Sequence, residues 1–135
     1  MLAPREIPED AKKIKISSDG QWIKLEWPVG EEVKNEIRRL DDKNKIITLD
    51  YQIHIYFPSF DHFYVQTYNS ENGFTLAKII ELICETGYNA MKNWFIISPD
   101  SFDAENAEEA GISVGEYSLS MFHMQKNNIY VNVDH

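Results

Sequence analysis

Hydrophobic and polar positions change period along the chain, and the changes divide it into elements. The clearest helical stretch is 75–95, TLAKIIELICETGYNAMKNWF. Leu76, Ile79, Ile80 and Ile83 recur at i, i+3, i+4 and i+7, which places them on one face of a 3.6-residue helix. Thr75 suits the N-cap, where its hydroxyl accepts from a backbone N–H that has no helical partner. Gly87 suits the left-handed residue that ends a helix, so the pattern predicts a helix over 75–86. A short second helix starting at Asn89 would follow, and Ile96 and Ile97 would add a short strand. The apolar stripe is a core anchor, each large side chain stabilising by roughly 1.5–3 kcal/mol when buried.

Strand-like alternation lies on both sides of this helix. Residues 13–17 and 21–27 alternate around the turn-forming Ser18, Asp19 and Gly20, which predicts a β-hairpin. From Gly30 the period lengthens: Val33, Ile37 and Leu40 share a helical face, with Glu31 and Glu32 early and Arg38 and Arg39 late. That charge order complements the helix dipole and predicts a helix near 30–40. Residues 45–57 give the strongest strand signal, with Ile47, Leu49, Tyr51, Ile53, Ile55 and Phe57 on one face. A turn at 58–61 leads into a second strand over 62–68. Residues 116–124 and 129–133 read as a C-terminal hairpin.

Hairpins with helices between them imply a single α+β domain over 12–135, with a mostly antiparallel sheet and two main helices. The element order from Lys45 onward is compatible with a β-grasp-like layout. Residues 1–11, with Pro4 and Pro8, read as a loose N-terminal tail.

Composition narrows the function classes. The 135 residues carry a net charge of −9, unevenly placed. Residues 1–50 hold 10 basic and 11 acidic side chains, whereas 51–135 hold 3 and 11. So acidic a C-terminal portion argues against nucleic acid, whose phosphates reward basic surfaces. It fits a basic protein partner or a solvated surface. A single cysteine, Cys84, excludes an internal disulfide and a cysteine zinc cage. No apolar run is long enough for a membrane span, and the expectation is a soluble intracellular protein.

Motifs that would carry chemistry fail on context. Gly111-Ile112-Ser113-Val114-Gly115 matches a nucleophile elbow, which must follow a strand and open a helix. Here an acidic segment precedes it and a strand follows. The acids Asp100, Asp103, Glu105, Glu108 and Glu109 lack the alternate-ligand spacing and central glycine of a calcium loop. His54, His62, His123 and His135 fall in no metal-binding spacing, and no cofactor fingerprint is present. The enzymatic alternative is a small catalytic or ligand-binding pocket made by His54, His62 and Asp61 around the turn.

Aromatic density points elsewhere. Tyr51, Tyr56, Phe57, Phe60, Phe63, Tyr64 and Tyr68 crowd one hairpin. With one face packed on the 75–86 helix, Tyr56, Phe60, Tyr64 and Tyr68 would face outward, to be covered by a second layer of the same protein such as the 30–40 helix or presented as a surface for a protein partner or for self-association. This aromatic hairpin, followed by GFTLAKIIELI, resembles small uncharacterised α+β proteins encoded by large DNA viruses of the marseillevirus kind, over residues 45–86. The resemblance carries over no functional residue. It implies a virus-specific accessory or particle-associated protein, placed in host cytoplasm or virion.

Overall fold

The computed structural model describes residues 2–25, 29–59, 62–97 and 118–132. Among the described residues, ten strands and two helices run β1 (Leu2–Pro4), β2 (Lys12–Lys15), β3 (Ile23–Lys24), α1 (Glu31–Arg38), β4 (Ile46–Thr48), β5 (Gln52–Ser59), β6 (His62–Asn69), β7 (Phe74–Thr75), α2 (Leu76–Ile97), β8 (Ser118–Leu119), β9 (Met121–Gln125) and β10 (Asn128–Val131). Six strands form one sheet in the order β1-β6-β5-β10-β9-β2, and β3-β8 and β4-β7 form two-stranded ladders. Within the large sheet β5 and β10 are parallel and the other neighbours antiparallel. The chain is an α+β domain with a mostly antiparallel sheet. Its centre is hairpin–helix–hairpin with the first and last strands side by side and parallel, a β-grasp-like layout.

The core lies between α2 and one face of the sheet. Leu76, Ile79, Ile80 and Ile83 are at most 1% exposed. They belong to one cluster with Ile53, Ile55 and Phe57 of β5, Ile129 and Val131 of β10, and Phe122 of β9. The N-cap forms as the sequence indicates, with the Lys78 N–H donating to Thr75 Oγ1 at 3.2 Å. Gly87 does not end the helix. Burial recurs at Ile83, Cys84, Thr86, Gly87 and Ala90, so the packed stripe continues through the glycine. A mid-helix glycine costs about 1 kcal/mol relative to alanine, less than the burial on either side contributes. Asn89 is interior to the helix, and Ile96 and Ile97 are helical as well.

The first expected hairpin also changes. Ser17, Asp19 and Gly20 do build a turn, with the Gly20 N–H donating to Ser17 O and Gly20 at φ +77°. The strands it joins then part: β2 pairs with β9 and β3 with β8. Helix α1 holds Val33 and Ile37 buried, as the period requires. Its Glu36 carboxylate accepts from the Lys24 N–H at 2.9 Å, which ties the helix to β3.

Residues 2–11 contain more order than their composition suggests. Leu2–Pro4 pair with β6 at one edge of the sheet, and Lys12–Lys15 pair with β9 at the other. Five strand spacings of about 4.8 Å separate those edges, roughly 24 Å. Eight residue steps from Pro4 to Lys12 reach about 26–29 Å fully extended, and the connection includes turns in which the Glu6 N–H donates to Pro4 O at 2.9 Å and the Ala11 N–H to Pro8 O at 3.1 Å. Gln125 Nε2 donates to Asp10 Oδ1 at 2.7 Å, and burial raises the Tyr130 hydroxyl with the charges of Tyr56 and Asp10 adding to the effect. Gln125 and Tyr130 lie on the sheet face away from α2, so the strap of residues 5–11 crosses that face. The face holds its own small cluster, Phe63, Val65 and Tyr130, with Ala3 and Tyr56 packed on it.

Gly73 is the backbone position with least tolerance. Its φ is +77°, and a Cβ there would stand 2.5 Å from Thr48 O and 3.0 Å from Leu49 Cα. Gly20 shares the dihedral but has nothing within 4 Å. Gly20→Ala is therefore expected to cost about 1 kcal/mol from strain alone, and Gly73→Ala more than about 2 kcal/mol, read as shifts in the urea midpoint. Equal shifts would show that the Thr48 contact carries no energy.

Candidate interaction surface

The register of the β5–β6 hairpin decides where its aromatics point. Directly opposed residues in an antiparallel pair share a face. Phe57 opposes Tyr64 and Ile53 opposes Tyr68, so both tyrosines lie on the helix side. Tyr56 opposes Val65 and lies on the other side. There its ring stacks on Tyr130 at 4.5 Å and meets Phe63 edge-on at 5.9 Å. The four residues expected to form one outward patch therefore do not. Tyr64 and Tyr68 are half-buried against the main core, Tyr56 is half-buried in the opposite cluster, and Phe60 lies outside the described residues. The reason is parity. Ser59 opposes His62, so even positions of β6 share a face with odd positions of β5.

Two side-chain contacts fasten the helix side of this hairpin. Thr86, fully buried, donates its hydroxyl proton to Leu82 O at 2.7 Å. Its oxygen can then only accept from the Tyr68 hydroxyl, 2.8 Å away. One turn on, Asn89 Nδ2 donates to Gln66 Oε1 at 2.9 Å. Burial pushes the Tyr68 hydroxyl up to about 12, with the Glu85 carboxylate adding to the effect.

The two histidines of the enzymatic alternative are not brought together. His54 lies opposite Thr67, with Nδ1 2.7 Å from Thr67 Oγ1. His62 lies opposite Ser59, five positions along the same strand from Thr67, a separation of about 17 Å at 3.4 Å per residue. The parity that splits the tyrosines also puts the two imidazoles on opposite faces. Asp61, like the 111–115 motif and the acids of 100–109, lies outside the described residues. His123 Nδ1 is buried without a hydrogen-bond partner. Among the described residues no group of three His, Cys, Asp or Glu side chains is placed to hold a metal ion. None of the described helices is long and apolar enough to cross a membrane.

A different surface emerges just before β5. The expected 13-residue strand breaks into β4 and β5, and the break carries two highly exposed apolar side chains, Leu49 at 78% and Tyr51 at 71%, with Ile46 of β4 exposed at 53%. Strict alternation assigned Leu49 and Tyr51 to the buried face, because it assumed one continuous strand. In fact β4 leaves the main sheet to pair with β7. The resulting knuckle is braced by its backbone. Thr48 Oγ1 donates to the Asp50 carboxylate and accepts from the Asp50 N–H, both at 3.1 Å. The Ser70 N–H donates to Tyr51 O at 2.7 Å. Beside it a shallow recess of about 420 Å³ is lined by Tyr51, Asn69, Ser70 and Glu71. The sequence signal that marks the break is Asp50 within an otherwise β-favouring run.

No protein-family model, curated protein or solved structure matches this chain.

Tyr68 makes a pH-dependent contribution to stability. An unfolded tyrosine ionises near 10, so below that pH both states keep the proton and the stabilising effect of the neutral buried ring is complete. Between about 10 and 12 the unfolded chain releases a proton that the folded chain retains, and stability falls as pH rises. For a half-exposed ring the loss is about 1 kcal/mol after solvent screening. Tyr68→Phe is expected to lower stability at pH 7 by about 1 kcal/mol and to flatten the alkaline decline, measured by urea unfolding from pH 7 to 12.

Proposed function

We propose that this chain is a non-enzymatic protein-interaction or structural module that works through the end of its aromatic hairpin. The observation that carries this reading is the exposure of Leu49 and Tyr51 on a turn braced by hydrogen bonds of Thr48, Asp50 and Ser70. Large apolar side chains held in water on a rigid support are typical of recognition surfaces, since little entropy is lost when they dock. The placement of His54 and His62 far apart along the hairpin supports it further, since the two imidazoles do not share one site. The resemblance of residues 45–86 to viral α+β proteins supplies a setting, that of an accessory or particle-associated protein.

A photoreactive amino acid at position 49, in protein produced in its native source, tests this reading. A discrete protein adduct is expected, lost when Tyr51 is replaced by serine, with the thermal midpoint moved by no more than about 2 °C because the side chain is exposed. A control at Asn35, exposed on α1, should give none. Equal labelling at positions 35 and 49, or no adduct at 49, overturns the proposal. Light scattering across a concentration series identifies whether the adduct is a second copy.

A further inference from the structure

The two edges of the large sheet are unlike. At the β2 edge Lys12, Lys13 and Lys15 are all exposed, and such lysines disfavour the addition of another strand. The β6 edge carries β1 only along 62–64. Beyond it runs Val65-Gln66-Thr67-Tyr68-Asn69, with no charge and no proline. Backbone groups of an antiparallel strand alternate between its two sides. The Ser70 N–H reaches Tyr51 O on the β5 side, so Tyr68 and Gln66 also face β5. Thr67 and Asn69 therefore turn their N–H and C=O groups away from the sheet, and among the described residues no strand pairs with them.

Three further features meet at this edge. The recess lined by Tyr51, Asn69, Ser70 and Glu71 opens at its end, Tyr64 and Tyr68 flank it on the helix side, and exposed carboxylates surround it. Asp50 and Glu71 are exposed beside the recess, and Glu85 is close enough to act on the Tyr68 hydroxyl. We propose that the β6 edge at Thr67 and Asn69 captures an extended peptide of another protein, in which an apolar residue that enters the recess is flanked by lysine or arginine.

The incoming strand would complete the hydrogen bonds of Thr67 and Asn69 and place its cations by Glu71 and Glu85, a β-augmentation mode in which backbone supplies affinity and side chains supply choice. A second copy suits the edge poorly. It would set Glu71 and Glu85 of both chains close together in a protein of net charge −9. This inference rests on the interaction-module reading and names its partner chemistry.

Two end-capped ten-residue probes, one alternating valine with lysine and one alternating valine with glutamate, provide the test against the full chain. Fluorescence anisotropy should show the lysine peptide binding at least tenfold tighter, with the preference weakening as salt rises. The Thr67 and Asn69 amides should gain hydrogen-exchange protection in that complex. Thr67→Pro removes an N–H that the ladder with β5 does not use, and should weaken binding at least tenfold. If that variant fails to fold, Glu71→Lys with Glu85→Lys decides, and should reverse the preference. Equal binding of both peptides, binding of neither, or protection elsewhere overturns the proposal. So does a dimer that protects the same two amides. An adduct retained at position 49 while both peptides fail leaves the module reading standing, whereas loss of both removes both.

Discussion

Everything in this domain depends on the parallel pairing of β5 with β10, in which His54, Ile55 and Tyr56 oppose Asn128, Ile129 and Tyr130. An isolated hairpin is marginal in water. Here two hairpins, one from the middle of the chain and one from its C-terminal part, are joined along their inner strands into a surface wide enough for α2 to cover. A parallel pair needs a long crossover between its strands. Helix α2 occupies that crossover, and its isoleucines share one core cluster with residues of both inner strands. On the reverse face the same pairing brings Tyr56 against Tyr130 and creates the second cluster. Break this contact and both layers of packing lose their common wall.

Local periodicity was enough to find the elements whose partners are near in sequence. Helix α1, the β5–β6 hairpin, the start of α2 with its threonine cap and the β9–β10 hairpin all follow from spacing and turn chemistry within about 20 residues. The elements that misled are those decided by distant partners. Residues 13–27 have every local mark of a hairpin, yet both strands find partners more than 90 residues away, in β8 and β9. Gly87 has the composition of a helix end, but the sheet beneath it extends far enough to keep the stripe buried.

Which apolar side chains stand in water was legible only in part. Crowded aromatics around residues 51–68 do mark a place where apolar rings outnumber core positions. Which rings face outward turned on one fact, that two residues separate the paired Ser59 and His62, and an odd register interchanges the faces. Tyr64 and Tyr68 went to the helix and Tyr56 to the other side, while Leu49 and Tyr51, assigned to the interior, stand in water because β4 departs to pair with β7. A period-2 pattern reports alternation faithfully. It does not report where a strand stops being the same strand.

The arrangement of the sheet also sets an order in time. Strand β2 is translated well before its partner β9 at 121–125, and the central slot beside β5 stays vacant until β10 at 128–131 leaves the ribosome. Among the described strands of the large sheet, the one that fills its middle is thus synthesised last. Until then β5 has one long flank uncovered, and the emergence of β10 becomes the moment at which this sheet can close.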